Sequence, residues 1–182
     1  MATNTLSRSL HDVGLAAWFG GTLANAVALN PASAQADTAN GTGRVANTGW
    51  NKWTPVNAAA IGAHLAGSVG ELVGNGSRLA VQRGAGSTAL VKTGLTVAAL
   101  AVTGYSRLLG RKVAEQESVP ALEATEPAAS TPAEVAKAQK QLAALQWVVP
   151  VLTGALIVVS ALAGEQQRAS EVKKGVFARF TR

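Results

Sequence analysis

Apolar residues along the chain fall into four blocks separated by polar, glycine-bearing or proline-bearing stretches. Each block has about the length of a helix that crosses a ~30 Å hydrocarbon core. The first block, residues 11–34, carries Trp18, Gly20, Gly21 and Asn25, with Asn30-Pro31 near its far end. Ser9 and Asp12 have the spacing of a capping box, which puts His11 in the first helical turn. A second reading stays open for this block, because Ala34-Gln35-Ala36 before Asp37 has the small-x-small pattern of a signal-peptidase site. Against cleavage, the stretch before the block holds one Arg, offset by Asp12, so the helix is expected to be retained.

Residues 35–53 read as a loop returning to the membrane, with Trp50 and Trp53 suited to an interfacial belt. Thr54-Pro55 then has the form of N-cap and N1 for a second helix over 54–74, ended by Gly74-Asn75-Gly76. The third block, 87–109, has Lys92 near its start and Tyr105 near its end, and is expected to form a hairpin with the second. Residues 110–131 are rich in Glu and Pro, which predicts an extended, mobile loop. Thr131-Pro132-Ala133-Glu134 joins a capping box to a proline at N1 and starts a last helix over 132–164. That helix rises about 50 Å, so it projects from the bilayer, with Pro150 as the place to bend. The tail, 165–182, carries Arg168, Lys173, Lys174, Arg179 and Arg182 beside apolar residues at helical spacing, and reads as a basic helix at the membrane surface.

Within each block the polar residues recur close to every seventh position, which keeps them near one helix face. His11, Trp18 and Asn25 follow this rule in the first, and Asn57, His64 and Glu71 in the second. Lys92, Thr96, Thr103 and Ser106 come close to it in the third, and Gln139, Gln146, Thr153, Ser160 and Gln167 keep it in the fourth. Four such seams predict an all-α integral membrane four-helix bundle, a single domain with polar seams inward and Ala, Val and Leu toward lipid. The seams serve either as interhelical hydrogen bonds or as a hydrated or ligand-lined interior. Glu71 and Lys92 lie within about two turns of the same hairpin end, so an ion pair is expected, with proton or cation handling as the alternative.

Composition sharpens this picture. Only 14% of the 182 residues are charged and 4% aromatic, too few charges for an ordinary soluble surface. Zero cysteines exclude disulfides, iron–sulfur clusters and thiolate metal sites. The net charge of +6 is spread between and after the apolar blocks rather than gathered in one aromatic-laced patch, which argues for membrane flanks and against nucleic acid. With both termini on one side, the basic tail makes that side cytoplasmic. His11 near a surface and His64 at mid-span predict ring depths differing by about 15 Å, too far apart to share a metal or haem. No phosphate-binding Gly-rich loop, HExxH or Ser/His/Asp set is present, so no catalytic residue, metal or cofactor is expected. Gly14, Gly20, Gly21, Gly62, Gly67, Gly70 and Gly74 read as close helix contacts.

The segment His11-Asp12-Val13-Gly14-Leu15-Ala16-Ala17-Trp18-Phe19-Gly20-Gly21 resembles the opening helix of CopD-type and related small four-helix membrane domains, in which a histidine precedes an alanine-rich run and Trp-x-Gly-Gly. The resemblance implies a four-helix membrane bundle with His11 as the one ligand candidate. Outside these eleven residues the chain departs from that pattern, above all in lacking the Met and His residues of a copper handler.

These features predict a non-enzymatic protein of the plasma membrane, a bacterial inner membrane, serving as an accessory or scaffolding subunit beside other membrane subunits or copies of itself. The alternatives are a small permease or ion-handling bundle using His64, Glu71 and Lys92, and a haem- or metal-bearing redox subunit.

Overall fold

The computed structural model describes residues 4–76, 82, 84–115 and 119–168. Lys173, Lys174, Arg179 and Arg182 of the expected surface tail lie outside them. The described part is helical apart from one small hairpin. Its elements are α1 (Thr5–Ala24), a π-helical turn (Asn25–Leu29), α2 (Asn30–Ser33), α3 (Ala39–Gly74), α4 (Ala85–Ala114), β1 (Ala121–Glu123), β2 (Glu126–Pro127) and α5 (Ala133–Glu165). Three helical stretches are long and apolar enough to cross a membrane, namely Thr5–Ser33, Ala85–Ala114 and Ala133–Glu165. The fourth, α3, is long enough but carries Asn57, His64 and Ser68 in its apolar stretch.

Several boundaries differ from those the sequence suggests. Helix α1 starts at Thr5, not near residue 11, so Ser9 and Asp12 are interior helical positions and no capping box forms. The expected loop at 35–53 is the first part of α3, which is capped at its start by Thr38, whose hydroxyl accepts from Gly41 N at 3.0 Å. Thr54-Pro55 therefore lies inside a continuous helix, where the Thr54 hydroxyl donates back to the Trp50 carbonyl at 2.8 Å. Pro132 is the N-cap of α5 rather than N1, and the Thr131 hydroxyl donates to the Pro120 carbonyl instead of closing a capping box.

The described part of the segment expected to be a mobile loop is packed. Helix α4 continues to Ala114, and beyond it Val119, Ala121 and Ala124 are buried around the antiparallel β1–β2 hairpin. Val119 joins Leu109, Val113, Val135 and Ala138 in one apolar cluster, and its carbonyl faces Gly43 so closely that a Cβ there would collide with it. A second cluster, at mid-bundle, is built on Trp18, Ala99 and Val149.

The helices pair as α1 with α3 and α4 with α5, with α1 also lying along α5, whereas α3 and α4 touch sparsely. The expected α3–α4 hairpin packing is thus replaced by two packed pairs joined through α1. Glycines explain the tight pair. A Cβ on Gly14 would stand 2.5 Å from the Ala60 carbonyl oxygen, and one on Gly67 would run into the His11 and Ser7 backbone. Gly21 meets the Trp53 ring, Gly70 meets Ser7, and Gly74 meets Asn4, so the glycines let two antiparallel backbones approach along almost the whole of α1. Gly20 and Gly62, expected to act likewise, meet nothing.

Every residue of the four polar seams is buried or half-buried, while Val13, Val69, Val73, Leu90, Val151 and Val158 are among the large apolar side chains left exposed. Charge is layered in the same way. Residues 13–36, 53–70, 93–106 and 141–164 carry no charged side chain.

Candidate functional site

One end of the bundle is drawn together by charge. Lys92 Nζ on α4 donates to Glu71 Oε2 on α3 at 3.3 Å, and Arg8 Nε on α1 stands 3.8 Å from Glu71 Oε1. Arg8 also donates to Gln167 Oε1 at 2.6 Å, beyond the C-terminus of α5. Four chain segments meet on this one carboxylate and its cations. Next to it Arg168 pairs with Glu165 at 3.1 Å.

About one turn inward lies the feature that the sequence misplaced. His11 and His64 are almost fully buried, and their ring centroids are 4.6 Å apart instead of being separated by many ångströms in depth. The reason is register: α1 begins six residues before the expected start, so His11 is about 9 Å inside the helix and comes level with His64 on the antiparallel α3. The two histidines exchange glycines across the interface, since Gly67 faces the His11 backbone and Gly14 faces the His64 backbone. His11 Nδ1 donates to Asp12 Oδ1 at 2.7 Å, and His64 Nδ1 donates to the His11 carbonyl at 3.4 Å. Both Nε2 atoms are shielded from solvent and have no hydrogen-bond partner among the described residues. Trp18 lies beside the pair, 6.1 Å from the His64 ring between centroids, and its Nε1 donates to Thr103 Oγ1 on α4 at 3.3 Å.

A third polar cluster lies toward the opposite end. Asn30 is fully buried; its Nδ2 donates to Gln146 Oε1 at 2.6 Å on α5 and its Oδ1 accepts from Trp50 Nε1 at 2.9 Å on α3. The sequence pattern singled out Asn25 instead. The π turn that begins at Asn25 inserts an extra residue into the helical repeat, so the buried face continues through Ala26, Asn30 and Ser33 while Asn25 is half-buried. Asn30-Pro31 had the look of a terminator, which hid this role. Asn57, the remaining candidate, sits on α3 with its Oδ1 buried and unpartnered among the described residues.

Among the described residues no group of three or more His, Asp, Glu or Cys gathers as a metal site. Compared with protein-family models, curated proteins and solved structures, the chain finds no match.

Proposed function

We propose that the chain is a four-span integral protein of the plasma membrane, a bacterial inner membrane, and that it serves as a non-enzymatic accessory or scaffolding subunit of a larger membrane assembly. The observation that carries this reading is the inverted polarity of the bundle. Large apolar side chains face outward over four charge-free stretches while polar residues bond inward to one another, which is favourable when lipid is the solvent and unfavourable in water. Helix α3, the most polar span, is held by the glycine interface with α1 rather than by its own hydropathy. The end that holds Arg8 and the start of the tail is the cytoplasmic one, under the positive-inside rule. Scaffolding is preferred to ion handling because Glu71 is neutralised by Lys92 and Arg8 at the edge of the charge-free layer, three residues before α3 ends. The test is affinity purification of the full chain from its own membranes in mild detergent after brief crosslinking. Other membrane polypeptides at fixed stoichiometry are expected; recovery solely as a monomer or homo-oligomer would overturn the scaffold role.

One observation favours a second reading, metal binding. A ligating imidazole typically offers one nitrogen while the other donates to a carboxylate or a carbonyl, and His11 and His64 both have that form. The CopD-type resemblance points to the same His11. The two Nε2 atoms would hold an ion that imidazole suits, such as copper or zinc, and rings this close cannot grip one haem from opposite faces. Elemental analysis of the purified chain decides this reading. It requires bound metal that is lost in His64→Leu, and a metal-free chain that takes up none from added copper or zinc excludes it.

A further inference from the structure

Helices α3 and α4 follow each other in sequence yet diverge, and two cavities open between them with α5 lining part of each. The first, of about 240 Å³, is lined by Trp53, Asn57 and Ile61 of α3 and by Ser106 and Arg107 of α4. The second, of about 320 Å³, is lined by Leu65, Val69 and Leu72 opposite Val97 and Leu100. One helical turn separates Ile61 from Leu65, so the two cavities are neighbours along α3 and make up a groove. Its far end is closed by the Lys92–Glu71 pair.

The groove is polar at the other end and apolar along its length. Trp53 Nε1, Asn57 Oδ1 and Ser106 Oγ are shielded from solvent and unpartnered among the described residues, and all three residues line the first cavity. Leaving three buried polar groups unmade is costly, at about 1–3 kcal/mol each, so such a cluster marks a place where something else supplies the bonds. Arg107 is the one charged residue in that lining, its guanidinium donating to Asn51 Oδ1 at 3.5 Å, and no carboxylate accompanies it. Arg107 also ends the charge-free stretch 93–106, the depth at which lipid headgroups begin. A transmembrane helix of a partner, about 10–12 Å across, is too wide for cavities of this size.

We propose that the α3–α4 groove holds one anionic membrane phospholipid, with its phosphate at Arg107, Ser106 and Trp53 and an acyl chain laid along Ile61, Leu65 and Leu100. The guanidinium and the indole and hydroxyl donors match phosphate oxygens, Asn57 Oδ1, an acceptor, matches a headgroup hydroxyl such as those of phosphatidylglycerol, and the apolar remainder matches a hydrocarbon chain. This inference rests on the membrane-spanning part of the proposed function and is independent of the scaffold role.

The groove can be filled without touching the core, because a Cβ on Gly104, which lines the first cavity, meets nothing within 4 Å. The experiment is native mass spectrometry of the full chain, purified in mild detergent and re-exposed to micelles doped with phosphatidylglycerol, alongside carbonate extraction of the membranes. One tightly held phospholipid per chain is expected, with occupancy reduced about tenfold in Arg107→Gln, as befits loss of a charge-assisted bond. Gly104→Leu should abolish it while circular dichroism and the thermal transition stay unchanged. Equal retention in wild type and both variants, a neutral quinone in place of phospholipid, or no adduct from a carbonate-resistant chain would overturn the lipid site alone. Release of the wild-type chain by carbonate would instead overturn the membrane reading beneath it.

Discussion

Helix α3 has two neighbours and treats them differently. Toward α1 it presents Gly67, Gly70 and Gly74 to Ser7, His11 and Asn4, and the backbones close until no Cβ fits. Toward α4 it presents apolar and amide side chains across a groove, and on that second helix Gly94 and Gly104 meet nothing within 4 Å. The same residue type is therefore a contact on one side of the molecule and a vacancy on the other. What distinguishes the two is phase: Gly14 and Gly21 lie seven residues apart on α1, as do Gly67 and Gly74 on α3, so each pair stays on one face and each glycine meets atoms of the opposite chain segment. A glycine marks packing only where its own face is turned to a neighbouring segment.

Breaking the tight side should cost most. Gly14→Leu drives a side chain into the Ala60 carbonyl and the His64 backbone, and is expected to destabilise by about 3 kcal/mol or to prevent accumulation of folded protein, read from expression and thermal melting in detergent. The ion-paired end comes next. Glu71→Leu leaves Lys92 and Arg8 facing each other without an anion and should cost about 2 kcal/mol, whereas Glu71→Leu with Lys92→Leu together should cost less than Glu71→Leu alone. Denaturant titration of the two variants checks the order; a double variant weaker than the single would mean that Lys92 has a duty besides pairing with Glu71. Trp50→Phe, which deletes the donor to Asn30, is expected to cost about 1 kcal/mol. Smallest of all, Gly62→Ala on α3 meets open space and should leave stability unchanged or raise it by about 0.5–1 kcal/mol through helix propensity. A clear loss at Gly62 would show that its face is covered.

The helical architecture and the inward seams were legible in sequence because they depend on periodicity within one segment. The last helix, its length and its strict run from Gln139 to Gln167 are examples. Two kinds of feature were not. Prolines were one: Pro55 sits inside α3, so Thr54-Pro55 looked like a beginning, and Asn30-Pro31 looked like an end although Asn30 is a buried, bonded residue, whereas Pro150 lies inside the last helix as the sequence suggested. Register between helices was the other. The meeting of His11 with His64 depends on how two helices slide against each other, a quantity carried by neither segment alone, and a six-residue error in one start moved the rings apart on paper. The facing of Gly14 to the His64 backbone and of Gly67 to the His11 backbone fixes that register.

The π turn at Asn25–Leu29 has a consequence for how a single rod serves two clients. An α-helix advances about 100° per residue, so twelve residues of plain α-helix from Trp18 would leave Asn30 about 120° around the rod, and the wide turn, by absorbing one residue, brings it back to within about 20° of the face that Trp18 occupies. Ahead of the turn, Gly14 and Trp18 address the middle of α3; behind it, Asn30 addresses Trp50 and Gln146 at once. Spreading the turn into regular α-helix with every residue kept would swing Asn30 out of its socket, whereas deleting one residue from 25–29 would straighten the rod and leave both Asn30 and the histidine pair facing where they do now.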